Sequence, residues 1–181
     1  MDELKFAVIG NPVSHSLSPD IHLFFANQFQ LERYTYNKIK SNENDFERDI
    51  NDFFKNGGVG LNVTVPFKGL AYNLCDELDQ SAGLCKSVNT VLIDSGKLIG
   101  HSTDGQGLID DFLHKEITLE DSKILIIGAG GSAASIISSL LLHGKIKEIS
   151  ILNRTKSNAL RLLDLFETNR LLMHEEGDEY D

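Results

Sequence analysis

Residues 122–133, SKILIIGAGGSA, run an apolar segment straight into a glycine turn. Ser122–Ile127 is apolar without alternation, the pattern of a strand buried on both faces in a parallel sheet. Gly128, Ala129, Gly130, Gly131, Ser132 and Ala133 follow in the form GxGxxA, and Ala134–His143 continues as a helix. In this context each small residue has a task. Gly128 permits the tight turn, Gly130 lets a pyrophosphate approach the backbone, and Ala133 lets helix and strand pack closely. The helix N-terminus adds unpaired N–H groups and a dipole that favours phosphate. The stretch therefore predicts the opening βα turn of a Rossmann-type dinucleotide-binding domain.

Working outward in the C-terminal direction, Glu148–Leu152 is the second strand and Lys156–Glu167 a helix. Between them stand Asn153, Arg154 and Thr155, where an NAD-preferring site carries a carboxylate for the ribose hydroxyls. A carboxylate repels a 2′-phosphate, whereas an arginine and two neutral hydrogen-bonding side chains can hold one, so NADP is the expected cofactor. The tail HEEGDEYD is acidic and has no periodicity. This half is expected to hold two parallel strands, starting near Asp104 with a helix over Gly105–His114.

Working outward in the other direction, the first hundred residues alternate strands and helices. Lys5–Gly10 is a strand, and Asp20–Phe29 a helix with Ser18 as N-cap and Pro19 as its first residue. Ile21, Phe24, Phe25 and Phe29 are its expected buried stripe. Arg33–Ile39 is a strand. Asn44–Lys55 is a helix with Phe46, Ile50, Phe53 and Phe54 on one face, closed by Asn56-Gly57-Gly58. In GLNVTVPFKG (60–69), Val59, Leu61, Val63 and Val65 alternate with Gly60, Asn62 and Thr64, a half-buried strand that Pro66 ends. Lys68 then lies beyond the strand's carboxyl end, where open α/β sheets hold ligands. A helix-like stretch covers 69–78, and Val88–Ile93 with Lys97–Gly100 form a hairpin turning at Ser95-Gly96. The fold class is α/β: an N-terminal α/β substrate domain, residues 1–103, followed by a partial Rossmann-type dinucleotide-binding domain, 104–181.

Composition narrows the partners. The net charge of -10, without basic clusters, argues against nucleic acid. No apolar run reaches membrane-spanning length and the N-terminus has no secretory signal pattern. Cys75 and Cys85 match neither a zinc spacing nor a disulfide framework, and the six histidines are scattered. A cytoplasmic protein with free thiols and no metal is expected.

Four stretches, NPVSHSLSP (11–19), NVTVPFK (62–68), SVNT (87–90) and STDG (102–105), stand in order before GAGGSA and NRT. Together they resemble the shikimate dehydrogenase family along the whole chain. The resemblance implies reversible, NADP-dependent reduction of 3-dehydroshikimate to shikimate, a step toward chorismate and the aromatic amino acids. It implies that Ser16 and Ser18 bind the substrate carboxylate, that Lys68 and Asp104 form the catalytic pair, that Thr64, Asn89 and Asp104 help bind the ring hydroxyls, and that Lys68 belongs to the substrate-binding set as well. Residues 128–133 and 153–155 would hold the cofactor. A lysine can donate a proton to a carbonyl oxygen as hydride arrives and take it back in reverse; a neighbouring aspartate favours its charged form and desolvation the neutral one, and either member of the pair can be the one that transfers the proton. Cys85-Lys86-Ser87 departs from the family's usual Ile-Gly-Ala without removing a ligand. Family members are longer, so the resemblance implies a C-terminal truncation, with later strands and a returning terminal helix absent. A quinate/shikimate dehydrogenase of broader cofactor use, and a truncated shikimate-binding chain without activity, are the alternatives; a homodimer is compatible with either.

Overall fold

In the computed structural model, residues 3–175, 177 and 180 are described; Glu176, Asp178, Glu179 and Asp181 of the acidic tail lie outside them. The described residues form two units: those up to Asp79 with Val88–His101, and Gln80–Ser87 with Ser102 onward. The segment Gln80–Ser87, placed by the sequence in the first half, thus packs with the second.

In chain order the elements up to His101 are β1 (Leu4–Gly10), α1 (Ser18–Gln28), β2 (Tyr34–Lys40), α2 (Phe46–Lys55), β3 (Gly58–Val63), α3 (Lys68–Leu74), β4 (Glu77–Leu78), α4 (Gln80–Cys85) of the second unit, β5 (Thr90–Asp94) and β6 (Lys97–His101). The first unit is built on one sheet of order β2-β1-β3-β5-β6-β4. β1 runs parallel to both β2 and β3, whereas β5 is antiparallel to β3 and to β6. The hairpin between β5 and β6 forms as the sequence predicts, because Ser95 and Gly96 take φ of 51° and 81°, the left-handed pair that a two-residue turn between twisted strands requires. α2 also follows its apolar pattern: Phe46, Ile50 and Phe54 are buried, and a side chain at Gly58 would collide with the Phe53 ring. Each such buried aromatic or aliphatic side chain contributes about 1.5–3 kcal/mol relative to exposure.

Several expectations are corrected here. The helix N-cap is Leu17, not Ser18, and Ser18 is the first helical residue; its N–H is instead taken by the hydroxyl of Ser16 at 3.3 Å. The buried stripe of α1 is not Ile21, Phe24, Phe25 and Phe29, which are all exposed. The helix rests on His22 and Ala26, one turn apart, with Ala26 buried and His22 stacked on Tyr36 at 4.3 Å. The strand in GLNVTVPFKG stops at Val63, so Val65 is 60% exposed and Thr64 opens the following turn. The helix-like stretch 69–78 divides into α3 and β4, with α4 following without a predicted counterpart.

The second unit continues with α5 (Asp104–His114), β7 (Lys123–Ile127), α6 (Ala133–His143), β8 (Glu148–Leu152), α7 (Lys156–Phe166) and β9 (Leu171–Met173). Its sheet has the order β7-β8-β9, all parallel. The expected two strands are therefore three. β8, in the middle, buries Ile149, Ser150 and Ile151, whereas β7 is only half-buried and Ile127 is 78% exposed. The doubly buried reading of 122–127 thus belongs to the neighbour: an edge of the described sheet covers less of β7. The core gathers Ile137 and Leu140 of α6, Ile149 and Ile151 of β8 and Ala159 and Leu162 of α7.

Candidate functional site

The sheet of the first unit changes direction at β3, and this gathers the predicted substrate residues. β1 and β3 end at the same edge, and β5, running antiparallel to β3, begins there. Asn62 pairs with Thr90 in register. The Val63 N–H donates to the Asn89 carbonyl at 2.8 Å, and the Val88 N–H donates to the Lys68 carbonyl at 3.0 Å. Residues 62–68 and 88–90 are thereby stitched together directly beyond the strands. Phe67, 1% exposed and 4.9 Å from the Phe46 ring, pins the backbone where Lys68 begins α3.

The loop of residues 11–17 is fastened to the same edge. Asn11 donates from its N–H to the Val65 carbonyl at 3.0 Å and from Nδ2 to the Ser41 carbonyl at 3.0 Å. Lys38 Nζ reaches the Ser14 carbonyl at 2.7 Å. A side chain at Gly10 would run into Thr64 Cγ2, so β1 and the Thr64 turn can only close with glycine there. Ser16 Oγ donates to Ser18 Oγ at 3.1 Å, two hydroxyls at the N-terminus of α1, where backbone dipoles favour an anion. Ser16, Ser18, Thr64, Lys68 and Asn89 are all half-buried on this edge.

Three further side chains belong to it. The Tyr36 phenol donates to Asn62 Oδ1 at 2.7 Å, and Asn62 Nδ2 donates to Thr90 Oγ1 at 3.1 Å. Thr90 Oγ1 donates to Asn89 Oδ1 at 3.2 Å. Tyr36 is hydrogen-bonded to Ser18, and burial, outweighing that bond, pushes its phenol up to about 12. Burial lowers the His22 imidazole that stacks on it. Sequence reading missed Tyr36 because it lies on β2, two strands from Asn62. Only the alternation of β2, which puts Tyr34, Tyr36 and Lys38 on one face, carried a hint. The groove on the opposite face, between β2 and α2, contains none of these residues; Thr35, Asn37, Ile39, Asp49 and Asp52 line it.

Asp104, the predicted partner of Lys68, belongs to the second unit as the first residue of α5. Its neighbour Gly105 packs so closely on α6 that a Cβ would meet the Ser135 carbonyl oxygen and the Ser139 side chain. Ser102, just upstream, is held by Ser135 Oγ at 2.6 Å and by the Cys85 thiol at 3.4 Å.

The glycine turn has the anticipated form. Gly128 takes φ of 115°, open only to glycine, and its N–H donates to the Leu152 carbonyl at 2.8 Å. Ser132 is the N-cap of α6 without a side-chain bond to the helix, and Ala133 is its buried first residue. Side chains at Gly130 or Gly131 would meet nothing within 4 Å, so the turn is open over the helix N-terminus, a cradle that suits a phosphate. Asn153 clips this turn to the next. Its Oδ1 accepts the Ala129 N–H at 3.0 Å and its Nδ2 donates to the Thr155 carbonyl at 2.8 Å. Arg154 and Thr155 are exposed beside it, Thr155 as the N-cap of α7. Among the described residues no cluster suits a metal ion and no helix is long and apolar enough to cross a membrane.

Two family models match, one for the shikimate dehydrogenase substrate binding domain over residues 8–91 and one for shikimate / quinate 5-dehydrogenase over residues 112–177. The chain belongs to the shikimate dehydrogenase family. It is 43% identical over 159 residues to the shikimate dehydrogenase (NADP(+)) of Acinetobacter baylyi, an overlap of 88% of this chain and 60% of that protein. The chain thus spans about 60% of the length of that curated relative. Among solved family structures, shikimate 5-dehydrogenase from Thermus thermophilus in complex with NADP(H) and shikimate superposes with a TM-score of 0.83 at 32% identity, over 93% of this chain and 62% of that one. The Listeria monocytogenes enzyme, in complex with shikimate and NAD, gives 0.86 at 30% identity, over 96% of this chain and 60% of that one. The family's α/β architecture, a substrate domain followed by a Rossmann-like cofactor domain, is the one described above.

Proposed function

We propose that the chain serves the NADP-dependent interconversion of 3-dehydroshikimate and shikimate, in the sense of aromatic amino acid biosynthesis. The observation that carries this reading is the convergence of Ser16, Ser18, Thr64, Lys68 and Asn89 on one sheet edge, stitched by the Lys68–Val88 and Asn89–Val63 backbone bonds. Two hydroxyls at a helix N-terminus suit a carboxylate, an amide and a threonine suit ring hydroxyls, and a lysine suits the oxygen that gains or loses a proton. In this reading Ser16 and Ser18 hold the acid group and Thr64 and Asn89 orient the ring. Lys68 moves the proton at the reacting oxygen, and Asp104, the other member of the expected pair, is carried by the second unit.

The glycine turn and residues 153–155 fit NADP: an open cradle over the α6 N-terminus for the pyrophosphate, and Arg154 beside neutral side chains for the 2′-phosphate. When bound, the cofactor supplies the hydride. The relatives bear the same chemistry in their names, NADP(+) for the Acinetobacter enzyme and NADP(H) with shikimate for the Thermus complex.

The test is shikimate-dependent reduction of NADP⁺ by the 181-residue chain beside Lys68→Ala, with NAD⁺ and quinate as alternates. Turnover in the parent and a loss of at least ~100-fold in the variant support the assignment, in line with a general acid–base contribution. Turnover indifferent to the variant would overturn the role of Lys68. Shikimate binding without turnover would identify a binding chain.

A further inference from the structure

We propose that the exposed side of α1 is a twofold contact surface on which a second copy of this chain docks, helix against helix. Leu17, Ile21, Phe25 and Phe29 recur every four residues from one cap of α1 to the other, and Phe24 lies beside the row. Phe24 is 66% and Phe29 70% exposed, and Leu17, Ile21 and Phe25 are exposed as well. Among the described residues no other phenylalanine is exposed. The Phe24 and Phe25 rings meet edge to face with centroids 6.1 Å apart, so the surface is continuous rather than a scatter of single side chains. A phenylalanine presents about 150–250 Å², so the exposed parts of the three rings amount to roughly 300–450 Å². Leu17 and Ile21 bring the patch to about 400–550 Å². That matches the largest apolar patch of a typical monomer. It also matches the apolar share of the roughly 800 Å² that each partner buries in a stable interface.

Charge selects the occupant. With a net charge of -10, two copies repel each other over most of their surfaces. From Leu17 to Phe29 the ionisable side chains are Asp20 and His22 alone. His22 is turned onto Tyr36 at 4.3 Å, and Asp20 precedes Phe24 by one turn, at the rim of the patch. An unlike partner would be chosen by charges that this face does not carry, whereas a second copy needs only the same apolar row. Rows spaced four residues apart interdigitate when two helices cross at about 50°, the commonest helix packing. A twofold axis through the crossing sets row against row and closes the assembly at two copies.

Sedimentation velocity on the full 181-residue chain tests this, with circular dichroism reporting the fold. A monomer–dimer equilibrium in the micromolar range or tighter is expected, strengthening with added salt as the repulsion between copies is screened. Phe24→Glu should weaken it at least ~100-fold and Phe24→Ala at least ~10-fold, because each substitution acts twice across the axis. Leu113→Glu, at an exposed leucine of α5, should leave it unchanged. A chain that stays monomeric up to about 100 μM would overturn the proposal and leave the face to a further length of polypeptide or an unlike partner. A dimer that survives both Phe24 variants, or that Leu113→Glu weakens equally, would place the contact elsewhere and overturn it too. Weakening by salt would deny its apolar basis, and assemblies growing past two copies would deny the twofold axis. None of these readouts depends on substrate.

Discussion

The two glycines of α5, two residues apart, are expected to respond to alanine in opposite directions. Gly107 meets nothing within 4 Å where a Cβ would stand, so Gly107→Ala gains helix propensity and stabilises by about 0.4–1 kcal/mol. Gly105 collects at most the same gain, but its Cβ is aimed at the carbonyl oxygen of Ser135, part of the backbone of α6, and at Ser139. A flexible side chain could step aside; a carbonyl in the first turn of α6 moves only if the helix moves. Overpacking of that kind costs about 1–3 kcal/mol, leaving Gly105→Ala destabilised by about 1–2 kcal/mol. The variants should therefore differ by about 1–3 kcal/mol, the overpacking cost itself, roughly 4–24 °C in the melting of a unit this size. Urea and thermal unfolding followed by far-UV circular dichroism measure it. Because Asp104 is the residue before Gly105, the destabilised variant should also lose shikimate turnover at temperatures where it remains folded. A Gly105→Ala chain as stable as its parent would refute the close α5–α6 contact as the reason for glycine in STDG.

Other expectations are shorter to state. Arg154→Asp should weaken NADP⁺ by at least ~10-fold while leaving NAD⁺ unaffected or improved, since a carboxylate repels only the 2′-phosphate; parallel fluorescence titrations decide, and equal loss of both would deny the arginine that role. Asn153→Ala strands the Ala129 N–H and unclips Thr155, so NADP⁺ should bind about tenfold more weakly; an unchanged titration would show the clip to be irrelevant to the cradle. Cys75 tests local electrostatics: burial first, and the charge of Asp76 second, push its thiol up to about 11. A raised value preserves the neutral thiol, so alkylation of Cys75 should rise about tenfold per pH unit from pH 8 to 10. Unfolded in urea, the rate should level off near pH 9; a native rate levelling there too would contradict the buried setting.

What the sequence disclosed follows from how local each signal is. The glycine turn, the Ser95-Gly96 hairpin and the amphipathic face of α2 are written in contiguous residues, and each forms as expected. α1 shows the limit of periodicity: its phenylalanines are regularly spaced, yet the sheet contacts the face carrying His22 and Ala26, because the stack on Tyr36 orients the helix. α4, six residues long, and β9, three, are too short for a period to declare them. The motif residues Ser16, Ser18, Thr64, Lys68 and Asn89 were legible by resemblance. The reason they meet, a strand pairing antiparallel in an otherwise parallel region, depends on partners some 28 residues apart, as Asn62 and Thr90 are. Tyr36 and its hydrogen bonds had no local signature beyond the alternation of β2.

The reversal of direction at β3 also makes this edge a rivet. A ligand seated there touches the ends of β1 and β3 and the start of β5 at once, so it can bind only while the amides of Val63 and Val88 keep their partners. By mass action, ligand at one hundred times its dissociation constant adds about 2.7 kcal/mol to the opening of whatever must stay closed for binding. Occupancy would then be recorded as slowed hydrogen exchange at those two amides. The hairpin tip at Ser95-Gly96, at the far end of the same strands, would exchange as before.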